Sequence, residues 1–434
     1  MTRTALLTDH YELTMLQAAL HSGAATRRCV FEVFARRLPE GRRYGVVAGT
    51  GRLVEAVKSF RFGDTEIQSL RAADVVDAQT LDFLSGYRFS GNISGYPEGE
   101  CYFAGSPLLT VEGTFAETVL LETVVLSILN HDCAIASAAS RMTNAAGERP
   151  CIEMGSRRTH EWAAVAAARA AYIAGFASTS NLEAGRTYGI PTTGTSAHAF
   201  TLLHDDERTA FEAQVASMGS GTTLLVDTYD VATAVARAVE IAGPDLGAVR
   251  LDSGDLLVQA REVRAQLDKL GATRTRIIVT SDLDEHAIAA LASAPVDGYG
   301  VGTSLVTGSG APTAGLVYKM VAREDRSGSM VDVAKQSKDK STVGGRKWAV
   351  RRLDPAGRAE EEIIGFGEMP VGVASTGRPL LVDLVQDGRT VADLTLAAGR
   401  ARYERSLAEL PAQARQLSRG EPVLRTRFQR GPKI

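Results

Sequence analysis

Ala248-Val-Arg-Leu-Asp-Ser-Gly-Asp-Leu-Leu-Val-Gln-Ala-Arg-Glu-Val-Arg-Ala-Gln-Leu-Asp-Lys-Leu-Gly271 reads as one strand passing directly into one helix. The run 248–252 is apolar and ends on Asp252. Beyond Asp255, the residues Leu256, Ala260, Val263, Leu267 and Leu270 step by four, three, four and three, which is one helical face, and Gly271 supplies a left-handed stop. Working outward, similar apolar runs occur at 151–154, 173–178, 190–195, 223–227, 276–282 and 297–303. Val231, Val235 and Val239 mark an intervening helix, and Phe211, Val215 and Met218 the one before it. Strands alternating with helices predict βαβ units and a parallel α/β sheet. Seven strands with polar residues at their C-terminal ends fit a TIM-like (β/α) barrel, complete or incomplete by one strand. An open doubly wound sheet is the competing reading. Neither G-x-G-x-x-G after the first strand nor G-x-x-x-x-G-K-[ST] is present to favour it.

The flanks follow other patterns. Residues 1–125 combine a helical start at 11–20, an alternating run at 29–36 and the turn Gly91-Asn-Ile-Ser-Gly95. Residues 329–434 hold strand-like runs at 330–334, 347–353 and 380–385, then a charged amphipathic helix near 393–410 that Pro411 ends. Neither flank forms a finished core alone. They are expected to combine into an α/β sandwich lobe beside a barrel domain spanning 126–328.

At 434 residues the chain is too long for a compact barrel alone, in keeping with two domains. With 48 Lys+Arg against 51 Asp+Glu, the net charge of −3 offers no global attraction to nucleic acid or anionic lipid, so anion binding must be local. No signal peptide or span of sufficient apolar length is visible, and a cytoplasmic protein is expected. Cys29, Cys101, Cys133 and Cys151 are scattered, with no C-x-x-C pair, which argues for reduced thiols without structural zinc.

Three consecutive strand ends carry the chemistry: Arg250-Leu-Asp-Ser-Gly-Asp255, Thr280-Ser-Asp-Leu-Asp284 and Gly300-Val-Gly-Thr-Ser304. Acids there can hold a diol or a Mg2+-bound substrate, and small residues let backbone N–H groups approach a phosphate. Ordinary helix capping by Asp or Ser is the plainer explanation of each piece alone. Together they indicate a sugar-phosphate site. Arg157-Arg158 after the first barrel strand suits bidentate recognition of an anion. His198, just past the 190–195 run, can serve as base, ligand or phosphate acceptor, or as an ordinary hydrogen-bonded histidine. Within 335–352, Lys335, Lys338, Lys340, Arg346, Lys347, Arg351 and Arg352 face one acid, Asp339, so this segment is either a mobile cover over polyphosphate or a solvated hairpin.

Taken in order, several motifs resemble one family. They are Thr8-Asp-His-Tyr-Glu-Leu-Thr-Met15, Phe31-Glu-Val-Phe-Ala-Arg36, Gly155-Ser-Arg-Arg158, Ala174-Gly-Phe-Ala-Ser-Thr-Ser-Asn181, Gly194-Thr-Ser-Ala-His198 after Gly189-Ile-Pro191, Arg250-Leu-Asp-Ser-Gly-Asp255 and Gly300-Val-Gly-Thr303. The chain is similar over residues 8–350 to the nicotinate phosphoribosyltransferases, type II phosphoribosyltransferases. The resemblance implies transfer of phosphoribosyl from phosphoribosyl pyrophosphate (PRPP) to nicotinate in NAD salvage, with ATP as co-substrate and Mg2+ as cofactor. It also implies a homodimer with shared active sites, Tyr11 and Arg36 acting across the interface. By the same resemblance Arg36, Arg157 and Lys319 hold pyrophosphate, and Asp252 and Asp282 grip ribose hydroxyls or Mg2+. Ser253 and Gly254 belong to the same PRPP loop, and Gly302 with Thr303 takes the 5′-phosphate. Tyr11 and Met154 contact the pyridine ring, Arg250 lies near its carboxylate, and His198 is the histidine that ATP phosphorylates.

Two departures bear on specificity. Met154 stands where many relatives carry an aromatic, although a thioether also packs on a ring. Asn181 falls where nicotinamide-specific relatives place an acid, and a neutral side chain there favours the acid substrate. The rival readings are a nicotinamide or quinolinate phosphoribosyltransferase, a TIM-barrel sugar-phosphate aldolase or isomerase, and a non-catalytic phosphosugar sensor.

Overall fold

Apolar runs between residues 151 and 303 form a sheet of six strands, all parallel, in the computed structural model, which describes residues 5–335, 343–373 and 377–429. Their spatial order is Ser178–Thr179, Cys151–Glu153, Gly298–Val301, Arg276–Val279, Ala248–Leu251, Thr223–Leu225. This is a parallel half-barrel, not a closed ring. The seventh expected strand, 190–195, is reduced to a single bridge between Thr192 and Thr179. Pro191 has no N–H to give a ladder; its carbonyl accepts from Thr179 N–H at 3.0 Å, and Thr193 N–H returns to Thr179 O at 2.9 Å. The 173–178 run also divides, its first residue closing the helix Glu161–Ile173 and only Ser178–Thr179 pairing as strand.

Helices cover this sheet as the periodicity requires. Leu256–Lys269 buries Ala260, Val263 and Leu267, whereas Leu270 ends the face exposed. Val231–Ala242 buries Ala234, Val235, Ala238 and Val239. Glu161–Ile173 is alanine-rich, so its axis can lie close to its neighbours.

The described chain divides into two compact units, Ala138–Pro312 and the combination of Met1–Ser137 with Thr313–Ile434. The second contains a seven-stranded sheet whose middle is N-terminal and whose wings are C-terminal. Met330–Asp332 and Leu316–Glu324 flank Arg28–Ala35; Leu109–Thr114 and Asn92–Gly95 follow, and Val382–Gln386 with Arg389–Thr390 closes the other side. Strand Leu316–Glu324, which the domain bounds 126–328 assign to the barrel, pairs antiparallel with Arg28–Ala35 and brings Lys319 opposite Glu32. Phe31 and Tyr318 stack across that pair with ring centroids 4.7 Å apart. A core including Leu13, Leu16, Val33, Leu53 and Leu84 packs against this sheet. All four cysteines are buried and outside any disulfide. No helix among the described residues is long and apolar enough to cross a membrane.

Candidate active site

Aspartates at the strand ends and helix starts of the Ala138–Pro312 unit fall into two kinds. Asp206, Asp230, Asp255 and Asp284 cap the helices that follow, each accepting from a backbone N–H in the first turn. Asn181 does the same for Leu182–Tyr188, accepting from Ala184 N–H at 2.9 Å. Asp227, Asp252 and Asp282 cap nothing. Capping therefore accounts for Asp255 and leaves Asp252 and Asp282 free for other work.

Asp252 and Asp282 line a cleft of about 250 Å3 with Met154, Arg157, Arg158, Arg250, Thr280, Ser281, Gly300, Gly302 and Thr303. These residues lie at or just beyond the C-terminal ends of four adjacent strands, where parallel α/β sheets place their ligands. Thr280 donates its hydroxyl to Asp252 Oδ1, fixing that carboxylate. Asp282 makes no side-chain hydrogen bond among the described residues, and Ser281 before it is held at φ 105°, a left-handed conformation costly for a residue with a Cβ. Gly254 turns the neighbouring loop with φ 80°. Gly300 keeps the cleft open, since a Cβ there would lie 2.5 Å from Thr280 Cγ2 and 2.7 Å from Met154 Sδ. Arg250 donates from Nη1 to Ser196 O at 3.1 Å, while its buried Nε has no partner among the described residues. An orphaned guanidinium N–H on a cleft wall fits an anionic ligand.

His198 opens the helix His198–Leu203 and does not line this cleft, but a carboxylate links the two. Asp227 Oδ1 lies 3.2 Å from His198 Nε2. Its Oδ2 accepts from Asp252 N–H at 2.9 Å and from Ser253 Oγ at 2.7 Å. The Asp227 side chain is 2% exposed and that of His198 39%, so a buried acid orients a half-open imidazole. Asp227 is a functional candidate that motif reading passed over. Its place just past a strand end, like Asp252 and Asp282, was the available signal.

Of the other expected residues, Asn181 sits beside the cleft loop, donating from Nδ2 to Ser156 Oγ at 2.9 Å, without lining the cleft. Tyr11, Arg36 and Lys319 belong to the other unit. Tyr11 is 44% exposed on the first turn of His10–His21, and partial burial beside Glu122 and Glu12 raises its phenol pKa. Arg36 follows Arg28–Ala35, and Lys319 Nζ lies 3.5 Å from Glu122 Oε1.

The described part of the basic segment matches neither the mobile cover nor the solvated hairpin. Lys347 is buried, with Nζ 2.9 Å from both oxygens of Glu32. Burial pushes the Glu32 carboxyl up to about 7, against the pull of Lys347. Arg351 is fully buried on Glu100 and Glu362, Arg346 pairs with Glu112, and Arg352 with Glu360 and Glu361. These four cations sit in or beside the strand Lys347–Leu353 and are compensated there, so they form no polyphosphate cover. Lys338 and Lys340 lie outside the described residues.

Among the described residues no group of three or more His, Cys, Asp or Glu side chains converges as a metal cage. Asp252 and Asp282 together still fit Mg2+, which typically takes one or two carboxylates and completes its shell from water and substrate phosphate.

Comparison with known proteins identifies the family. Residues 6–130 match the nicotinate phosphoribosyltransferase N-terminal domain family. The Mycobacterium tuberculosis protein named nicotinate phosphoribosyltransferase pncB1 is 59% identical over 97% of this chain and 94% of its own. The Bacillus subtilis nicotinate phosphoribosyltransferase is 37% identical, covering 82% of this chain and 75% of that one. The crystal structure of human nicotinic acid phosphoribosyltransferase superposes with a TM-score of 0.82 at 27% identity, covering 98% of both chains. With a relative 59% identical matched along nearly the whole length of both chains, the chain belongs to the nicotinate phosphoribosyltransferase family.

Proposed function

We propose that the chain transfers the phosphoribosyl group of PRPP to the ring nitrogen of nicotinate, coupled to ATP hydrolysis, as the entry of the free acid into NAD salvage. The observation that carries this is the cleft in which Asp252 and Asp282 face Arg157, Arg158 and Arg250 beside the glycine-rich end of Gly298–Val301. A sugar bearing phosphates at two positions needs both kinds of charge.

In the reaction the nicotinate nitrogen bonds to C1′ as the C1′–oxygen bond to pyrophosphate breaks. Positive charge develops on the ribose, and negative charge on the leaving group. Asp252, fixed by Thr280, and Asp282 orient the ribose hydroxyls and stabilise the cationic sugar. Arg157, with Arg36 and Lys319, neutralises pyrophosphate; Mg2+ held at Asp252 and Asp282 would supply further neutralisation. Ser253 and Gly254 shape the loop beside the ribose, and Gly302 with Thr303 holds the 5′-phosphate. Met154 packs on the pyridine ring, Tyr11 stacks on it, and Arg250 attracts its carboxylate. A neutral Asn181 adds no repulsion to that carboxylate. His198 accepts the γ-phosphoryl group of ATP, and Asp227 holds its Nε2 side.

On this reading the half-barrel is an incomplete TIM-like barrel, the other unit is an α/β sandwich lobe, and the protein works in the cytoplasm as a homodimer with shared active sites. Buried thiols outside any disulfide support a reducing compartment. The test is incubation with nicotinate, PRPP, ATP and Mg2+. Nicotinate mononucleotide and pyrophosphate are expected in equal amounts, at a rate that ATP raises; absence of the mononucleotide would refute the assignment.

A further inference from the structure

Glu153 ends the strand Cys151–Glu153, is 0% exposed, and forms no ion pair among the described residues. A buried carboxylate without a cation is costly, and burial indeed raises its pKa, while bonds from Thr179 and Gly155 oppose the rise. Its surroundings offset part of that cost. Oε1 accepts the N–H of Gly155, and Oε2 accepts the hydroxyl of Thr179. Its backbone carbonyl accepts from Ser180 N–H at 2.8 Å. The Thr179 hydroxyl oxygen in turn accepts from Asn181 N–H at 2.9 Å, and Asn181 Nδ2 reaches Ser156 Oγ at 2.9 Å. One acceptor-only group thus ties the loop that brings Met154, Arg157 and Arg158 to the cleft to the neighbouring loop at Thr179–Asn181.

Both side-chain contacts of Glu153 come from donors, one a fixed backbone N–H and the other a hydroxyl whose oxygen is already engaged. A glutamine has the same shape but offers one acceptor and one donor. Its amide would face either the Gly155 N–H or a hydroxyl forced to turn away. The demand is for a carboxylate, and the segment it anchors carries two arginines of the cleft.

We propose that Glu153 is a positioning residue for PRPP: through Gly155 and Thr179 it sets where the Arg157–Arg158 loop holds the pyrophosphate. The inference rests on the pyrophosphate role given above to Arg157. It is tested by titrating Mg-PRPP into the full chain by calorimetry, without nicotinate. Glu153→Gln is expected to weaken PRPP about tenfold, and Thr179→Val, which removes one of the two donors, to weaken it as well. Thr179→Ser keeps the hydroxyl and is expected to restore affinity to near that of the unsubstituted chain. This split separates positioning from general loss of structure, which melting temperature monitors in each variant. If Glu153→Gln fails to fold, the Thr179 pair decides. Unchanged PRPP affinity in folded Glu153→Gln, or equal losses in Thr179→Ser and Thr179→Val, overturns the proposal. Turnover of nicotinate by the unsubstituted chain reports separately on the proposed function.

Discussion

Asp227 holds His198 with one carboxylate oxygen and the Asp252–Ser253 backbone and hydroxyl with the other, at 3.2, 2.9 and 2.7 Å. The residue read as the phosphoryl acceptor and the residue read as the ribose ligand thus share one buried acid. On the proposed reading, a phosphoryl group arriving at the imidazole would act on the loop carrying Asp252 through this one side chain. Asp227→Asn keeps the shape but turns one acceptor into a donor. It is expected to lower kcat by about a hundredfold and to abolish most of the stimulation by ATP. Steady-state rates with and without ATP check this; an unchanged ATP response would contradict the shared-acid account.

His198 is expected to carry the phosphoryl group itself. ATP labelled in its γ-phosphate should label the chain in an acid-labile, base-stable form, and His198→Ala should remove that label. Label that persists in the variant places the acceptor elsewhere.

The proposed sharing of active sites makes a prediction about mixtures. Tyr11→Ala and Asp252→Asn are each expected to be inactive alone. If Tyr11 serves the partner's cleft, random mixing makes half the dimers hybrid, each with one intact site, and about a quarter of the activity returns. No recovery after denaturation and joint refolding argues against Tyr11 acting across the interface.

Glu100 bears on acid stability. Burial alone pushes its carboxyl up, but Arg351 and Arg378, with Ser406, more than reverse this and bring it to about 2. A folded-state value below the ordinary 4.5 means stability that is present above pH 4.5 and lost as pH falls from 4.5 towards 2. Arg351→Met leaves Glu100 and Glu362 buried with less compensation and is expected to cost about 3–5 kcal/mol. Urea unfolding at neutral pH measures that cost, and a loss below about 1 kcal/mol would show the network to be dispensable.

Much of the fold was legible where local pattern and tertiary demand agree. Leu256–Lys269 follows from its four-three spacing, and the strand ends at Asp252 and Asp282 from apolar runs that stop on acids. The 190–195 strand was misread because its composition suits a strand while Pro191 cannot extend a ladder. Lys347 and Arg351 looked like a free basic run because spacing reports charge and not partners. Their carboxylates, Glu32 and Glu100, lie 315 and 251 residues away in sequence. Asp227 ends an apolar run as Asp252 does, but only folding brings it to His198, 29 residues upstream, and so reveals its partner. The cleft residues from Met154 to Thr303 were legible because a parallel sheet collects its strand ends on one side.

The most direct test of the central claim is a competition between bases. Equal concentrations of nicotinate and nicotinamide are supplied with ATP, Mg2+ and limiting PRPP, and both mononucleotides are quantified. The cleft's arginines and the neutral Asn181 predict nicotinate mononucleotide in excess by about a hundredfold or more. Comparable amounts of the two products, or an excess of nicotinamide mononucleotide, would contradict the account.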